Sequence, residues 1–257
     1  MKVYDCFMFM NELELLELRL ATLNDVVDYF VFFEAGQTHS CKSKPLHYEE
    51  NKERFSEYKD KIIYIKMEKL PSTDSWKNEN FSREQLIFGI DDAEPEDYII
   101  VSDVDEIPNP EMLKFGFEKN FDIFTLQQKL FYYYVNCMQK QLWSGPVIAK
   151  RKHVTSTQGM RKMRGNRINL LSNGGWHYSY LGGEAMIKSK IEAYAESIDN
   201  NKPHINNPAH IKKCLETGHD ILNRTDDMFK KTFLKEDELD HPALKEWLKK
   251  YPEMIKL

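Results

Sequence analysis

Apolar residues along this chain fall into short runs separated by polar stretches of helical period, and the first hundred residues repeat that alternation. Residues 2–9 form a first strand-like run. Asn11 then stands as the cap of a helix in which Leu13, Leu16, Leu20 and Leu23 recur at helical spacing. Tyr29, Phe30, Val31, Phe32 and Phe33 make a second buried strand, which ends in Glu34, Ala35 and Gly36. Residues 48–58 are charged and read as helix, and residues 62–65 as a third strand. A polar, proline-containing loop over residues 71–80 leads into a helix predicted over 82–90. A fourth apolar run, Tyr98, Ile99, Ile100 and Val101, completes a β-α-β-α-β-α-β rhythm that predicts a parallel sheet covered by helices.

Beyond Pro110 the pattern changes. Residues 122–130 predict a long strand, continued by the aromatic residues Phe131, Tyr132, Tyr133 and Tyr134. Trp143, Ser144, Gly145 and Pro146 predict a turn, and residues 147–149 a short strand. Residues 151–167 are basic and punctuated by glycine, as in a loop lying over the sheet. A short aromatic strand containing Trp176, His177 and Tyr178 sits between two glycine pairs and precedes a helix predicted over 184–197. From Pro208 the tail is charged and helical, with Leu244, Trp247 and Leu248 as an apolar stripe that packs back on the domain.

The chemistry concentrates where the fourth strand ends, at Asp103, Val104, Asp105 and Glu106. In extended backbone, residues two apart point the same way, so Asp103 and Asp105 can face one site. Carboxylates that close repel unless a cation sits between them, and oxygen ligands suit Mg²⁺ or Mn²⁺. Without the ion, removal of one should relieve repulsion. The same residues also read as an acidic turn after a strand. Composition narrows the classes further. A net charge of −5 over 257 residues gives no reason to expect nucleic acid, whose binding normally needs a basic face. Cys6, Cys41, Cys137 and Cys214 lack zinc-like spacing, and a core of this size needs no disulfides. No stretch reaches the roughly 18 apolar residues of a membrane span, and Asp5 interrupts any leader-like run. A cytoplasmic location is the expectation.

The ordered set of motifs resembles glycosyltransferase family 17, the family of β-1,4-mannosyl-glycoprotein β-1,4-N-acetylglucosaminyltransferase. Carrying the resemblance are Asp5, Cys6 and Phe7, the Asn11 to Leu20 stretch, Phe33, Glu34 and Ala35 with Thr38, His39 and Ser40, then Arg83, Glu84 and Gln85, the Val101 to Pro108 block, and Gly175 to Tyr180. The resemblance implies a GT-A-type α/β fold with a mixed, mostly parallel sheet. Its catalytic domain would span residues 1–200, with a nucleotide-binding half over 1–109 and an acceptor half over 110–200. A helical extension over 201–257 would pack on the same domain. Nothing here corresponds to the membrane anchor and stem of the animal members.

The activity implied is metal-dependent, inverting transfer of N-acetylglucosamine from its uridine diphosphate to a glycan hydroxyl. Asp105 would hold Mn²⁺ or Mg²⁺, Asp103 would contact the ion or the ribose, and His177 could complete the ligand shell or serve as a hydrogen-bonded core residue. Glu34 and Thr38 are candidate uridine and ribose contacts, though Glu34 could instead cap the turn at Gly36. His39 could meet phosphate or be an ordinary loop residue, and Arg83 could reach the nucleotide or pair with Glu79. Inversion needs a carboxylate base, for which Glu184 is the candidate ahead of Asp91 and Glu106; a bland helix-terminal acid explains Glu184 equally well. Lys188, Arg161 and Arg164 are candidate diphosphate contacts, and Trp143, Trp176, Tyr178 and Tyr180 candidate sugar-stacking surfaces. Two other classes share some of these features: a metal-dependent phosphatase built on the two aspartates, and a non-catalytic carbohydrate-binding protein.

Overall fold

A computed structural model describes residues 1–193 and 201–257. The four early strands are β1 (Val3–Met8), β2 (Tyr29–Ala35), β3 (Ile62–Met67) and β4 (Tyr98–Asp103). They pair in parallel in the order β3-β2-β1-β4. The chain therefore builds outward from β1 to β3 and then returns to the other side of β1. Between β1 and β4 the connections diverge, which opens a crevice at the strands' carboxyl ends. Met8 is in register with Asp103 there, so the two aspartates emerge at the switch point.

The second half adds β5 (Glu106–Pro108), β6 (Ile123–Tyr132), β7 (Cys137–Lys150), β8 (Gly175–Ser179) and β9 (Lys231–Phe233). β7 runs antiparallel to β4, β6 antiparallel to β7, and β8 parallel to β6. β5 pairs antiparallel with β8, and β9 with β7. The sheet is mixed, as expected of the GT-A-type plan, with parallel pairing concentrated in its first half. At Gly175, φ is +128° and a Cβ would lie 2.1 Å from the Ile107 carbonyl oxygen, so only glycine lets β8 approach β5 this closely.

Helix α1 (Leu13–Leu23) is buried on two sides. Leu16, Leu20 and Leu23 pack with Phe7, Phe30 and Phe32 of the sheet, whereas Leu15 and Leu18 meet Leu244, Trp247 and Leu248 from the C-terminal residues. The apolar stripe read in the tail thus covers the outer face of α1. Asn11 does not cap this helix. The Glu12 carboxylate accepts from the Met10 and Asn11 amides at 3.1 and 3.0 Å, and the Asn11 side chain donates to Ser189 Oγ at 3.3 Å.

The remaining helices are α2 (His47–Asn51), α3 (Ser75–Glu84), α4 (Pro110–Glu118), α5 (Thr157–Lys162), α6 (Gly183–Ala193), α7 (Pro208–Thr217) and α8 (Leu244–Lys250). Three expectations need correction. α3 begins at Ser75, inside the predicted loop, because Asp74 accepts from the Trp76 and Lys77 amides and caps it; residues 85–90 then tighten into a 3-10 helix. The predicted turn at Trp143 to Pro146 is strand, since β7 runs through it with shifts of register against β6. Residues 151–167 include a true helix, α5, capped by Ser156, whose Oγ accepts from the Gly159 amide. Residues 194–197 of the helix predicted after Gly183 lie outside the described residues.

Candidate active site

A cleft of about 630 Å³ opens over the carboxyl ends of β1 and β4. Its floor is Met8, Phe9 and Met10 from the end of β1 and Asp103, Val104 and Asp105 from the end of β4. One wall comes from α3, one from α5 and the turn after it, and one from β8, α6 and the C-terminal residues Leu222 and Arg224.

The floor is held rigid from beneath by Arg19 of α1. This fully buried guanidinium donates to Asp5 through Nε and Nη2, and to Ser102 Oγ at 2.6 Å. Its Nη1 reaches the carbonyls of Asp103 at 3.0 Å, Val104 at 3.3 Å and Glu106 at 2.9 Å. Three backbone acceptors in an exposed-looking acidic turn are thereby satisfied from the core. The Glu106 side chain turns inward, where it accepts from Trp143 Nε1 at 2.6 Å and from both Nη atoms of Arg161 at 2.6 and 2.8 Å. That places Glu106 in a structural ion pair and removes it from the candidate bases.

Asp103 and Asp105 converge but serve differently. Asp103 accepts from Arg83 Nη2 at 3.1 Å through one oxygen and from Arg161 through the other. Burial alone would raise its carboxyl; Arg161 and Arg83 overcome that and hold it below the usual carboxylate range. Asp105 faces Lys190 Nζ at 2.6 Å and His177 Nε2 at 3.4 Å. Burial opposes ionisation here too, but Lys190 and His177 keep the carboxyl well below the usual range. His177 reaches Asp105 because β5 follows Asp105 at once and pairs Glu106 with His177, while the Tyr178 amide donates to the Asp105 carbonyl at 2.9 Å.

A divalent ion fits part of this arrangement. Asp105 and His177 present an oxygen and a nitrogen on the same side, and His177 Nδ1 is buried without a hydrogen-bond partner among the described residues. Such a pair leaves the remaining positions of a Mg²⁺ or Mn²⁺ shell to phosphate oxygens and water. Asp103 fits poorly as a ligand, since guanidinium groups occupy both its oxygens. No group of three or more His, Cys, Asp or Glu side chains stands close enough to hold a metal among the described residues.

The other expected contacts divide. Arg83 lies on the cleft and pairs with both Glu79 and Asp103, so the pairing with Glu79 is present and the guanidinium also stands where the cleft opens. His39 also lines the cleft, buried and beside Arg83, which together push its imidazole down to about 4 and keep it neutral. Glu34 does not face the cleft. It accepts from Lys44 Nζ, Tyr64 OH and the His47 and Tyr48 amides, so it caps α2 instead of binding a nucleoside or closing the turn at Gly36. Thr38 Oγ1 accepts from the Lys42 amide inside its own turn and is not on the cleft. Glu184 and Lys188 are exposed on α6, away from the cleft lining; Lys190, two residues on, is the basic group of that helix that enters it. Trp143 and Tyr180 line the cleft, whereas Trp176 and Tyr178 are core.

The sequence of glycosyltransferase family 17 matches residues 1–237. The chain belongs to that family. The β-1,4-mannosyl-glycoprotein 4-β-N-acetylglucosaminyltransferases of Homo sapiens and Rattus norvegicus are each 30% identical to it over 107 residues, 38% of this chain. The match spans 20% of the length of those relatives. Among solved structures, S. aureus TarS 1-349 is similar at 16% identity and a TM-score of 0.39, covering 85% of this chain and 72% of that one. A 4-diphosphocytidyl-2C-methyl-D-erythritol synthase is similar at 13% identity and the same TM-score, covering 67% and 89%. Neither likeness is high enough to bear on function. Among the described residues no helix is long and apolar enough to cross a membrane.

Proposed function

We propose that this family 17 chain transfers N-acetylglucosamine from its uridine diphosphate to a glycan hydroxyl, with a divalent ion and with inversion at the anomeric carbon. The observation that carries the reading is Arg164. Its guanidinium lines the cleft half-buried, 4.9 Å over the Trp143 ring, with no carboxylate partner among the described residues. Burial and the neighbouring charge of Arg161 work against its cation and outweigh the opposing fields of Glu106 and Asp103. A cation held so is costly until an anion arrives, and a diphosphate is such an anion. The surrounding balance points the same way. Six cationic side chains line the cleft against the carboxylates of Glu79, Asp103 and Asp105, in a chain whose net charge is −5.

Asp105 and His177 would hold the divalent ion, which supplies Lewis-acid neutralisation of the departing diphosphate. Arg164 binds the diphosphate directly, and Lys190 balances Asp105 until the donor complex forms. Asp103 fixes Arg83 and Arg161 in place, so the α3 and α5 walls stay registered on the floor. The sugar and the inverting course rest on family membership. The partners are then a nucleotide sugar and a glycan acceptor.

Calorimetry with uridine, guanosine and cytidine diphosphates, with and without Mn²⁺, tests the donor. Uridine diphosphate should bind tightest and only with the ion. Equal affinity for the three would overturn the uridine assignment. Phosphate release from simple phosphomonoesters, with no turnover of a nucleotide sugar, would overturn transfer and place the chain among phosphatases.

A further inference from the structure

The nucleoside needs a surface, and the two residues first expected to provide it are consumed elsewhere. Glu34 caps α2 and Thr38 closes its own turn. The cleft offers another surface on α3. Trp76, Glu79, Asn80 and Arg83 fall at i, i+3, i+4 and i+7, so they form one stripe of the helix, and all four line the cleft. Arg83 ties the lower end of the stripe to Asp103. Trp76 stands at its upper end, 44% exposed, and its indole N–H has no acceptor among the described residues. Asn80 accepts from Gln158 Nε2 at 2.6 Å and leaves its amide hydrogens without an acceptor among the described residues.

A large indole open to water at the rim of a polar cleft gains from covering by another flat, weakly polar ring. The stripe also belongs to the first half of the chain, beside Asp103, while Tyr180, Leu222 and Arg224 line the wall formed by the second half. From these placements, and resting on the donor reading above, we infer that Trp76 is the stacking platform for the nucleobase, with the Asn80 amide donating to a base carbonyl. Trp76 thereby sets affinity for the base, and Arg164 for the diphosphate.

The test measures binding of uridine diphosphate and inorganic pyrophosphate, each with Mn²⁺, to the wild-type chain, Trp76→Ala and Trp76→Phe. Base stacking on an aromatic ring corresponds to a loss of roughly 5- to 150-fold on truncation to alanine. Trp76→Ala should weaken uridine diphosphate by that factor and leave pyrophosphate within about twofold, while Trp76→Phe recovers most of the loss. Quenching of tryptophan emission by the nucleotide should shrink in both variants. Unchanged nucleotide affinity in Trp76→Ala overturns the inference, and so does an equal loss for pyrophosphate, which would make Trp76 a shaper of the cleft. If the wild-type chain binds no nucleotide at all, it is the donor reading that fails.

Discussion

Arg19 of α1 and Asp5 of β1 form a two-pronged ion pair in the core, Nε to one carboxylate oxygen at 2.7 Å and Nη2 to the other at 2.6 Å, with both side chains fully buried. The third nitrogen of the guanidinium is thereby aimed at the backbone of the Asp103 to Glu106 turn. A core pair thus sets the position of the cleft floor.

Removing Arg19 leaves Asp5 as an uncompensated buried charge and strips three carbonyls of their donor. Arg19→Met should cost about 3–5 kcal/mol of stability, the usual scale for breaking a buried pair. Replacing both partners by apolar residues, Arg19→Met with Asp5→Leu, should recover much of that stability without restoring the turn. Urea unfolding and nucleotide binding measured on the same variants separate the two effects. Full binding by the double variant would show that Arg19 does not position the floor.

Asp105 was expected from sequence to be repelled by Asp103, so that its loss would relax the metal-free chain. The geometry reverses that sign. Asp105 balances Lys190 at 2.6 Å, so Asp105→Asn should destabilise the metal-free protein by about 1–3 kcal/mol, the range for a lost charge-assisted hydrogen bond. The same variant should lose the Mn²⁺ dependence of nucleotide binding. A thermal melt at or above the wild-type temperature without metal would contradict the pairing.

Helical phase distinguishes the residues of α6. Glu184 and Lys188 are exposed, and Lys190 enters the cleft. Glu184→Gln should leave turnover within about twofold and lower stability by about 0.3–1 kcal/mol, as for a helix-terminal acid. Lys188→Ala should likewise leave turnover unchanged, whereas Lys190→Ala should reduce it by roughly 10-fold or more. A loss of about 10²-fold in Glu184→Gln would restore Glu184 as the base.

The parts legible in the sequence were those set by local pattern. β1 to β4 are apolar runs with clear ends, and Asp103 and Asp105 close one of them. What was missed depends on distant partners. α3 hides because Trp76, Asn80 and Arg83 serve a cleft, so the helix lacks an ordinary apolar stripe. β7 hides because Gly145 and Pro146 signal a turn, whereas in the strand a Cβ at Gly145 would come within 2.4 Å of Gln128 Oε1 on its neighbour. The cations around the floor come from α1, α3, α5 and α6, and no spacing in the chain announces that Arg161 and Lys190 meet carboxylates 55 or more residues away. The choice between Lys188 and Lys190 turns on a rotation of the helix that only packing fixes.

His241 provides the clearest dependence on pH. Its ring is buried, 4.2 Å from the Trp176 ring, with Nε2 3.4 Å from Thr22 Oγ1. Burial pushes its imidazole down to about 3, against an ordinary value near 6.5. Above 6.5 neither the folded nor the unfolded chain protonates this group, and it contributes nothing to the slope. As pH falls below 6.5 the unfolded chain takes up a proton that the folded chain refuses, so stability is lost progressively down to about 3. At pH 5 the loss from this one group is about 2 kcal/mol. His241→Phe keeps a ring against Trp176 but cannot titrate, and Thr22 still donates to the Leu18 carbonyl at 2.6 Å. Urea unfolding at pH 7 and pH 5 should therefore show a drop smaller by about 2 kcal/mol in the variant than in the wild-type chain. An identical drop in both would mean that the imidazole is protonated in the folded state, and that the burial of His241 does not govern this part of the pH range.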